Sequence, residues 1–549
     1  IRMIRKKLWV ALILLAGIPA LHAQSSATQG VNRPRLVVGI VVDQMRWDYL
    51  YRYYDRYNET GFKRILKEGF SCENTIIDYV PTVTAIGHSS VYTGSVPAIH
   101  GITGNDFIIN STGKTMYCTE DNDVSTIGSK SNAGKMSPRN LLASTITDEL
   151  KLATNFRSKV IGIALKDRGA ILPAGHAANA AYWFDNVSGN FITSTWYMKQ
   201  LPDWVTKFNE QRLPEKYLKQ DWNLLYKPET YLQSTADNTP YEGLLGNKKT
   251  PVFPIRTSEM FAKDYDIIRA TPYGNTLTGD MAKAAILGEK LGQDTETDFL
   301  TVSFSSTDYI GHKFGINAME IEDTYLRLDK DLGDLLSFLD SRIGKGQYTI
   351  FLTADHGAAH NIDFLKDNKI PAGRWSGSAL MKEMNTKLAA MFGVENLVLS
   401  LMNSQVHFNY QKLDSAALDE AAVRKVVMNV LKRNEDISFT ADMDQLGQEA
   451  VPAEIKERMT NGYNRQRSGG IFFILKPAVS SAGKTGTGHG AWNPYDSHIP
   501  LLWMGWGIKQ GATNRQTGMT DISATLAALL HIQMPNGCIG KPITEILNR

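Results

Sequence analysis

Three separate apolar runs in this chain end in aspartate: LVVGIVVD at 36–43, FLTVSFSSTD at 299–308 and YTIFLTAD at 348–355. Short runs rich in Val, Ile and Phe are the pattern of strands buried on both faces, as in a parallel sheet covered by helices. A carboxylate just past such a strand lies at the carboxyl edge of the sheet, where open α/β folds place their chemistry. His356 follows Asp355 directly, His312 follows Asp308 by four residues, and His489 lies in the glycine-rich GTGHG. Carboxylate oxygen and imidazole nitrogen together suit a borderline cation such as zinc.

The surrounding sequence supports this reading. Further buried-strand patterns run over Val160–Leu165, Ile471–Leu475 and Ile499–Met504, and helical patterns cover 276–292 and 319–342. This alternation predicts an α/β fold, a doubly wound, mostly parallel sheet flanked by helices. Residues 172–260, rich in Trp, Tyr, Asn and Pro, and residues 365–470, which include an amphipathic stretch Leu413–Leu431, break the rhythm. Both are expected as inserted cap or accessory segments within one catalytic domain over 24–549.

The first 23 residues are expected to be a signal peptide. Arg2, Arg5, Lys6 and Lys7 precede an apolar run, Leu8–Ile18, that is too short to span a bilayer, and Leu21-His22-Ala23 is an acceptable cleavage site. A membrane anchor is the alternative. Export implies a periplasmic or secreted protein. The net charge of +3 falls to about −1 once the four basic residues of that segment are removed. No global basic field is left, so nucleic acid is not an expected partner. Cys72, Cys118 and Cys538 allow one disulfide at most.

The run VPTVTAIGHSSVYTGS at 80–95 turns at Pro81 and enters a helix near Thr84. Exposed amides and the positive end of the dipole favour an anion there. Taken alone, Thr84 reads first as an N-cap; as a nucleophile its hydroxyl would need a metal or a base. Here the chain resembles the alkaline phosphatase superfamily, and within it the PafA-type phosphatases of Bacteroidetes, with nucleotide pyrophosphatase/phosphodiesterases as more distant relatives. The matching segments are VVGIVVDQMRWDYLYRYY at 37–54, DYVPTVTAIGHSSVYTGSVPAIHGITGNDF at 78–107, LKDRGAILPAGH at 165–176, STDYIGHKFG at 306–315, TADHG at 353–357 and GTGHG at 486–490.

The resemblance implies two zinc ions around one phosphate site. Asp308, His312 and His489 would hold the first; Asp43, Asp355 and His356 would hold the second, which also contacts Thr84, the nucleophile. The other histidines, His88, His100, His360 and His498, are expected to pack or hydrogen-bond rather than bind metal.

Asn105, after the GITG turn, can donate its side-chain amide to a phosphoryl oxygen. Lys166 and Arg168 sit at the end of VIGIAL, and two residues apart in an extended segment they would face the same side. Two cations favour a monoester dianion, whose unesterified oxygens each take a charge-assisted hydrogen bond. The expectation is an exported, monomeric, zinc-dependent alkaline phosphatase of broad specificity, acting on small phosphate monoesters through a phosphothreonine. A phosphodiesterase of the same fold, a non-catalytic zinc-loaded binder of phosphorylated ligands, and a manganese-dependent mutase relative are the alternatives.

Overall fold

A computed structural model describes residues 31–547 except 247 and 261–264. The expected signal peptide lies outside the described residues. Pro34–Arg549 forms one compact unit. Its centre is a ten-stranded sheet in the order Gly511–Thr513, Phe70–Cys72, Leu501–Gly505, Tyr348–Thr353, Leu36–Val42, Asp298–Phe304, Val160–Ala164, Ala180–Asp185, Asn190–Ser194, Thr126–Ile127.

The five strands from Tyr348–Thr353 to Ala180–Asp185 run parallel, with Val41 opposite Thr353, Val42 opposite Phe304, and Ser303 opposite Ala164. That register brings the strand ends level, so the segments carrying Asp43, Lys166, Asp308 and Asp355 leave the sheet along one edge. All residues of the Leu36–Val42, Asp298–Phe304, Val160–Ala164 and Tyr348–Thr353 strands are buried. Each buried Val, Ile or Phe side chain contributes about 1.5–3 kcal/mol of transfer free energy, which fixes these strands in place. Among the packed helix pairs are Tyr273–Gly288 with Met319–Leu339, and Thr84–Thr93 with Asp167–Ala174.

Three expectations are corrected. The Trp- and Tyr-rich segment 172–260 does not lie wholly over the sheet, because Ala180–Asp185 and Asn190–Ser194 are two of its strands. Aromatic residues suit a pleated surface, and AAYWFD is fully buried there. The strand Ile471–Leu475 belongs to a separate antiparallel sheet, between Gln405–Phe408 and Ile437–Asp442. That sheet has its own core, in which Phe473 and Val406 meet Leu380, Met384 and Val427. Finally, Leu413–Leu431 is two helices, Tyr410–Ser415 and Glu420–Lys432. The break comes where Ala417 takes a left-handed φ of 48° and the Asp419 side chain caps the second helix by accepting the Ala421 N–H.

Candidate active site

Thr84 is the first residue of the Thr84–Thr93 helix, and the capping position belongs to Val83, extended at φ −131° and ψ 158°, with no side-chain cap. The Thr84 hydroxyl is therefore not consumed in capping. Its Oγ1 lies 3.4 Å from Lys166 Nζ and 3.5 Å from His356 Nε2. The helix approaches the Asp355 strand end closely through Gly87, where a Cβ would fall 2.4 Å from the Asp355 carbonyl oxygen.

Around Thr84 the structure gathers Asp43, Asp308, Asp355, His356 and His489, all buried or nearly so, with His312 at the edge. Asp308 Oδ1 is 3.1 Å from His312 Nε2 and 3.7 Å from His489 Nε2, and these three residues form one convergent group. Asp43, Asp308 and His356 form the second. Asp308 thus belongs to both, where a division into two separate triads was expected. Asp355 stands beside the second group, its Oδ2 3.5 Å from His356 Nε2.

The donor set fits cations on two counts. Asp43 Oδ1 and Asp355 Oδ2 are buried and accept no well-formed hydrogen bond; Asp43 Oδ1 lies 3.6 Å from His356 Nε2, and Asp355 Oδ2 lies 3.5 Å from His356 Nε2 and 3.3 Å from His88 Nδ1. A buried carboxylate oxygen without a donor is costly unless a cation meets it. The imidazoles are also held in the ligand tautomer. His312, His356 and His489 each direct Nδ1 at a backbone carbonyl, of Thr487, Gly357 and Thr82, at 3.0, 2.9 and 2.8 Å. Donation from Nδ1–H leaves the Nε2 lone pair facing the carboxylates. Burial holds His356 and His489 below the ordinary histidine range, toward the neutral form.

Lys166 Nζ donates to Asp43 Oδ2 and Asp308 Oδ2, at 2.6 Å each. Burial opposes its charge, but Asp308 and Asp43 outweigh it and raise the lysine. Burial, then the Asp355 charge, raises Asp43. Burial also works against ionised Asp308, yet His312 and Lys166 hold it well below the ordinary range. The carboxylates are thus unequal, as their unequal partners require.

The premise for pairing Lys166 with Arg168 is corrected. The strand ends at Ala164, Lys166 is the extended residue before the Asp167–Ala174 helix, and Arg168 lies inside that helix. Strand alternation does not apply there. Arg168 is fixed instead by Tyr117, whose hydroxyl accepts from Nη1 at 3.0 Å and donates to Asp167 at 2.9 Å. Arg168 Nε is buried and has no acceptor. Asn105 Oδ1 accepts the N–H of Ala85 at 2.9 Å, which orients the amide and leaves its NH2 group to donate elsewhere.

One residue of the site escaped the sequence reading. Gln44, at a left-handed φ of 64°, donates its main-chain N–H to Asp355 Oδ1 at 3.1 Å and its side-chain amide to Asp308 Oδ1 at 2.7 Å. It lies against Gly311, where a Cβ would collide with Gln44 Oε1. Its position directly after Asp43 was the available signal. His88, His100, His360 and His498 stand outside both groups. His88 bonds Thr84 O and Ser303, His100 bonds Ser90, His360 bonds Asn317, and His498 bonds Glu73 O. The three cysteines are free thiols.

A family model described as type I phosphodiesterase / nucleotide pyrophosphatase matches residues 37–498. A Myroides odoratus protein named "Calcium-transporting ATPase" is 56% identical over 528 residues, covering 95% of this chain and 96% of its own. Alkaline phosphatase PafA of Elizabethkingia meningoseptica is 52% identical over 550 residues, 99% of each chain. The crystal structure of wild-type PafA superposes with a TM-score of 0.93 at 52% identity, covering 94% of this chain and 100% of that one. With the sheet edge, the carboxylates and the histidines all in place, the chain belongs to the type I phosphodiesterase / nucleotide pyrophosphatase family, within the alkaline phosphatase superfamily and alongside PafA.

Proposed function

We propose that this protein is a zinc-dependent phosphatase that hydrolyses phosphate monoesters by way of phospho-Thr84. One observation carries the reading: an uncapped, buried threonine hydroxyl at a helix start lies within 3.5 Å of both a lysine ammonium and an imidazole that is aimed at unsatisfied carboxylates. Two zinc ions, one on Asp308, His312 and His489 and one on Asp43, Asp355, His356 and Thr84, would supply Lewis acidity to the threonine oxygen and to the departing oxygen.

The chain's own residues do the rest. Thr84 Oγ loses its proton and bonds to phosphorus as the bond to the leaving oxygen breaks, and that oxygen takes up a proton. Water then attacks the phosphothreonine, Thr84 regains its proton, and inorganic phosphate leaves. Lys166, Arg168 and Asn105 supply donors for the non-bridging oxygens, and the helix start adds its dipole. The two cations favour a dianionic monoester over a diester, whose second ester group removes one charge. The terminal phosphoryl group of ATP presents the same dianion, which accommodates the ATPase name of the Myroides relative.

Export to the periplasm or medium belongs to the same proposal, supported by the amino-terminal sequence and the alkaline phosphatase relatives, and a broad substrate range and a monomeric state are proposed with it. The test is a comparison of kcat/KM for an aryl phosphate and its methyl diester, together with acid trapping of labelled phosphate. A diester preference, or label on a residue other than Thr84, overturns the reading.

A further inference from the structure

A groove of about 330 Å³ opens beside His489, where the main body meets the four-stranded sheet. Val83, the residue before Thr84, lines it together with Trp375, Met402, Ile474 and Trp492. Its two indoles come from different parts of the chain and are both braced. Trp375 packs at a tilt on Phe473, ring centroids 5.2 Å apart, and its main-chain N–H donates to the Ser480 carbonyl, while its indole N–H is buried without an acceptor. Trp492 carries the Arg458 guanidinium 5.9 Å from its ring centre, and its main-chain carbonyl accepts from Arg458, while its indole N–H is buried without an acceptor. A volume of this order suits one ring system, since small-molecule sites start at about 300 Å³.

The direction of the groove follows from the chemistry. In an in-line displacement the leaving oxygen departs opposite the nucleophile. His356 lies against Thr84, so the group of Asp308, His312 and His489 takes the departing side. His489 belongs to that group and to the groove wall alike. The cavity on the His312 side is lined by Glu259, Asp266 and Lys313 beside Leu245, Met260 and Ile267, and the groove beside His489 also carries charges, on Lys476 and Asp496. The two differ in their aromatic surface: the groove presents two indoles on which an aryl ring can stack, the other cavity a single phenol, that of Tyr309.

Resting on the function proposed above, we propose that this groove is a leaving-group subsite that receives the aromatic alcohol portion of a phosphate monoester, with Trp375 and Trp492 as its walls. The protein then discriminates among monoesters by the group released, in addition to recognising the phosphoryl group common to all of them.

The experiment uses the full-length, zinc-loaded enzyme with 2-naphthyl phosphate and methyl phosphate. The ratio of their kcat/KM values is measured for the parent, Trp375→Ala, Trp492→Ala and Ser481→Trp; Ser481 is an exposed lining residue, so its indole would fill the groove without disturbing a core. Inhibition by inorganic phosphate reports separately on the phosphoryl site. Each variant is expected to lower the naphthyl-to-methyl ratio about three- to thirtyfold, with phosphate inhibition held within about twofold of the parent. An unchanged ratio in Ser481→Trp and in the folded tryptophan variants overturns the subsite while leaving the monoesterase reading intact. A parent that cleaves methyl diesters and neither monoester overturns the monoesterase reading, and the subsite with it.

Discussion

The imidazole of His356 lies flat against that of His489, with ring centroids 3.5 Å apart and planes inclined by 13°. The two rings belong to different ligand groups, so this contact joins the halves of the site. Cationic imidazoles at this distance would repel each other. Burial, the largest influence on both, lowers His356 and His489 and keeps the stack neutral, the state in which each can offer a lone pair.

Removing the nucleophile should separate chemistry from metal binding. Thr84→Ala is expected to lower kcat by about three orders of magnitude or more while zinc content stays at the parent's level. Acid-quenched parent enzyme should yield phosphothreonine at this position by mass spectrometry. Label on any other residue would reassign the nucleophile.

Chelation should abolish turnover, and added zinc should restore it. Elemental analysis of the restored protein is expected to give two ions per chain. Asp355→Ala and His489→Ala should each lower that number, because each leaves its group one donor short. Full activity after exhaustive chelation would exclude the proposed role of the metals.

Lys166 and Arg168 are expected to set the preference for monoesters. Each charge-assisted bond is worth about 1.5–3 kcal/mol, or about tenfold to a hundredfold in rate if made in the transition state. The double alanine variant should therefore lose several orders of magnitude in kcat/KM on an aryl phosphate and much less on its methyl diester. Equal losses on the two substrates would assign the pair to general anion binding.

Gly87→Ala should act on the site from within the helix. The added Cβ would press on Asp355, at 2.4 Å from its carbonyl oxygen and 2.6 Å from its own Cβ. Overpacking of this kind costs about 1–3 kcal/mol. A lowered Tm together with weaker zinc retention is expected. A variant with the parent's Tm and zinc content would show that the helix shifts freely.

Gln44→Ala removes the amide that holds Asp308 Oδ1 and keeps the main-chain bond to Asp355. Loss of such a supporting bond typically costs about 10- to 100-fold in metal affinity. Competition with a zinc chelator of known affinity measures it, and an unchanged affinity would make Gln44 a bystander.

Much of this architecture was legible in the chain because burial writes itself into composition. The Leu36–Val42 run is a strand over those same residues, and the aspartates past three such runs lie on one sheet edge, as strand-end logic requires. What was not legible depended on relations between segments. Arg168 was assigned to an extended stretch because the sequence does not mark where the helix begins after Lys166. Ala180–Asp185 read as cap because its aromatic residues serve a sheet as well as a surface. Asp308's place in both groups, and Gln44's bonds to both Asp308 and Asp355, are set by the packing of three chain segments and have no local signature.

The carbonyls of Thr82, Gly357 and Thr487 that orient His489, His356 and His312 are main-chain atoms. Every amino acid brings an identical acceptor, but the three positions are themselves held in place: a Cβ at Gly357 would fall 2.2 Å from the Tyr495 carbonyl oxygen, and the Thr82 and Thr487 hydroxyls donate to the Ala491 and Ala359 carbonyls. A changed chain path would release them. An inserted or deleted residue in either loop, 353–361 or 482–493, would rotate a carbonyl away and free an imidazole to turn. The site is thus exposed to changes in loop length and to any side chain at Gly357, which makes those two loops the places where divergence in this fold would first be felt as lost chemistry.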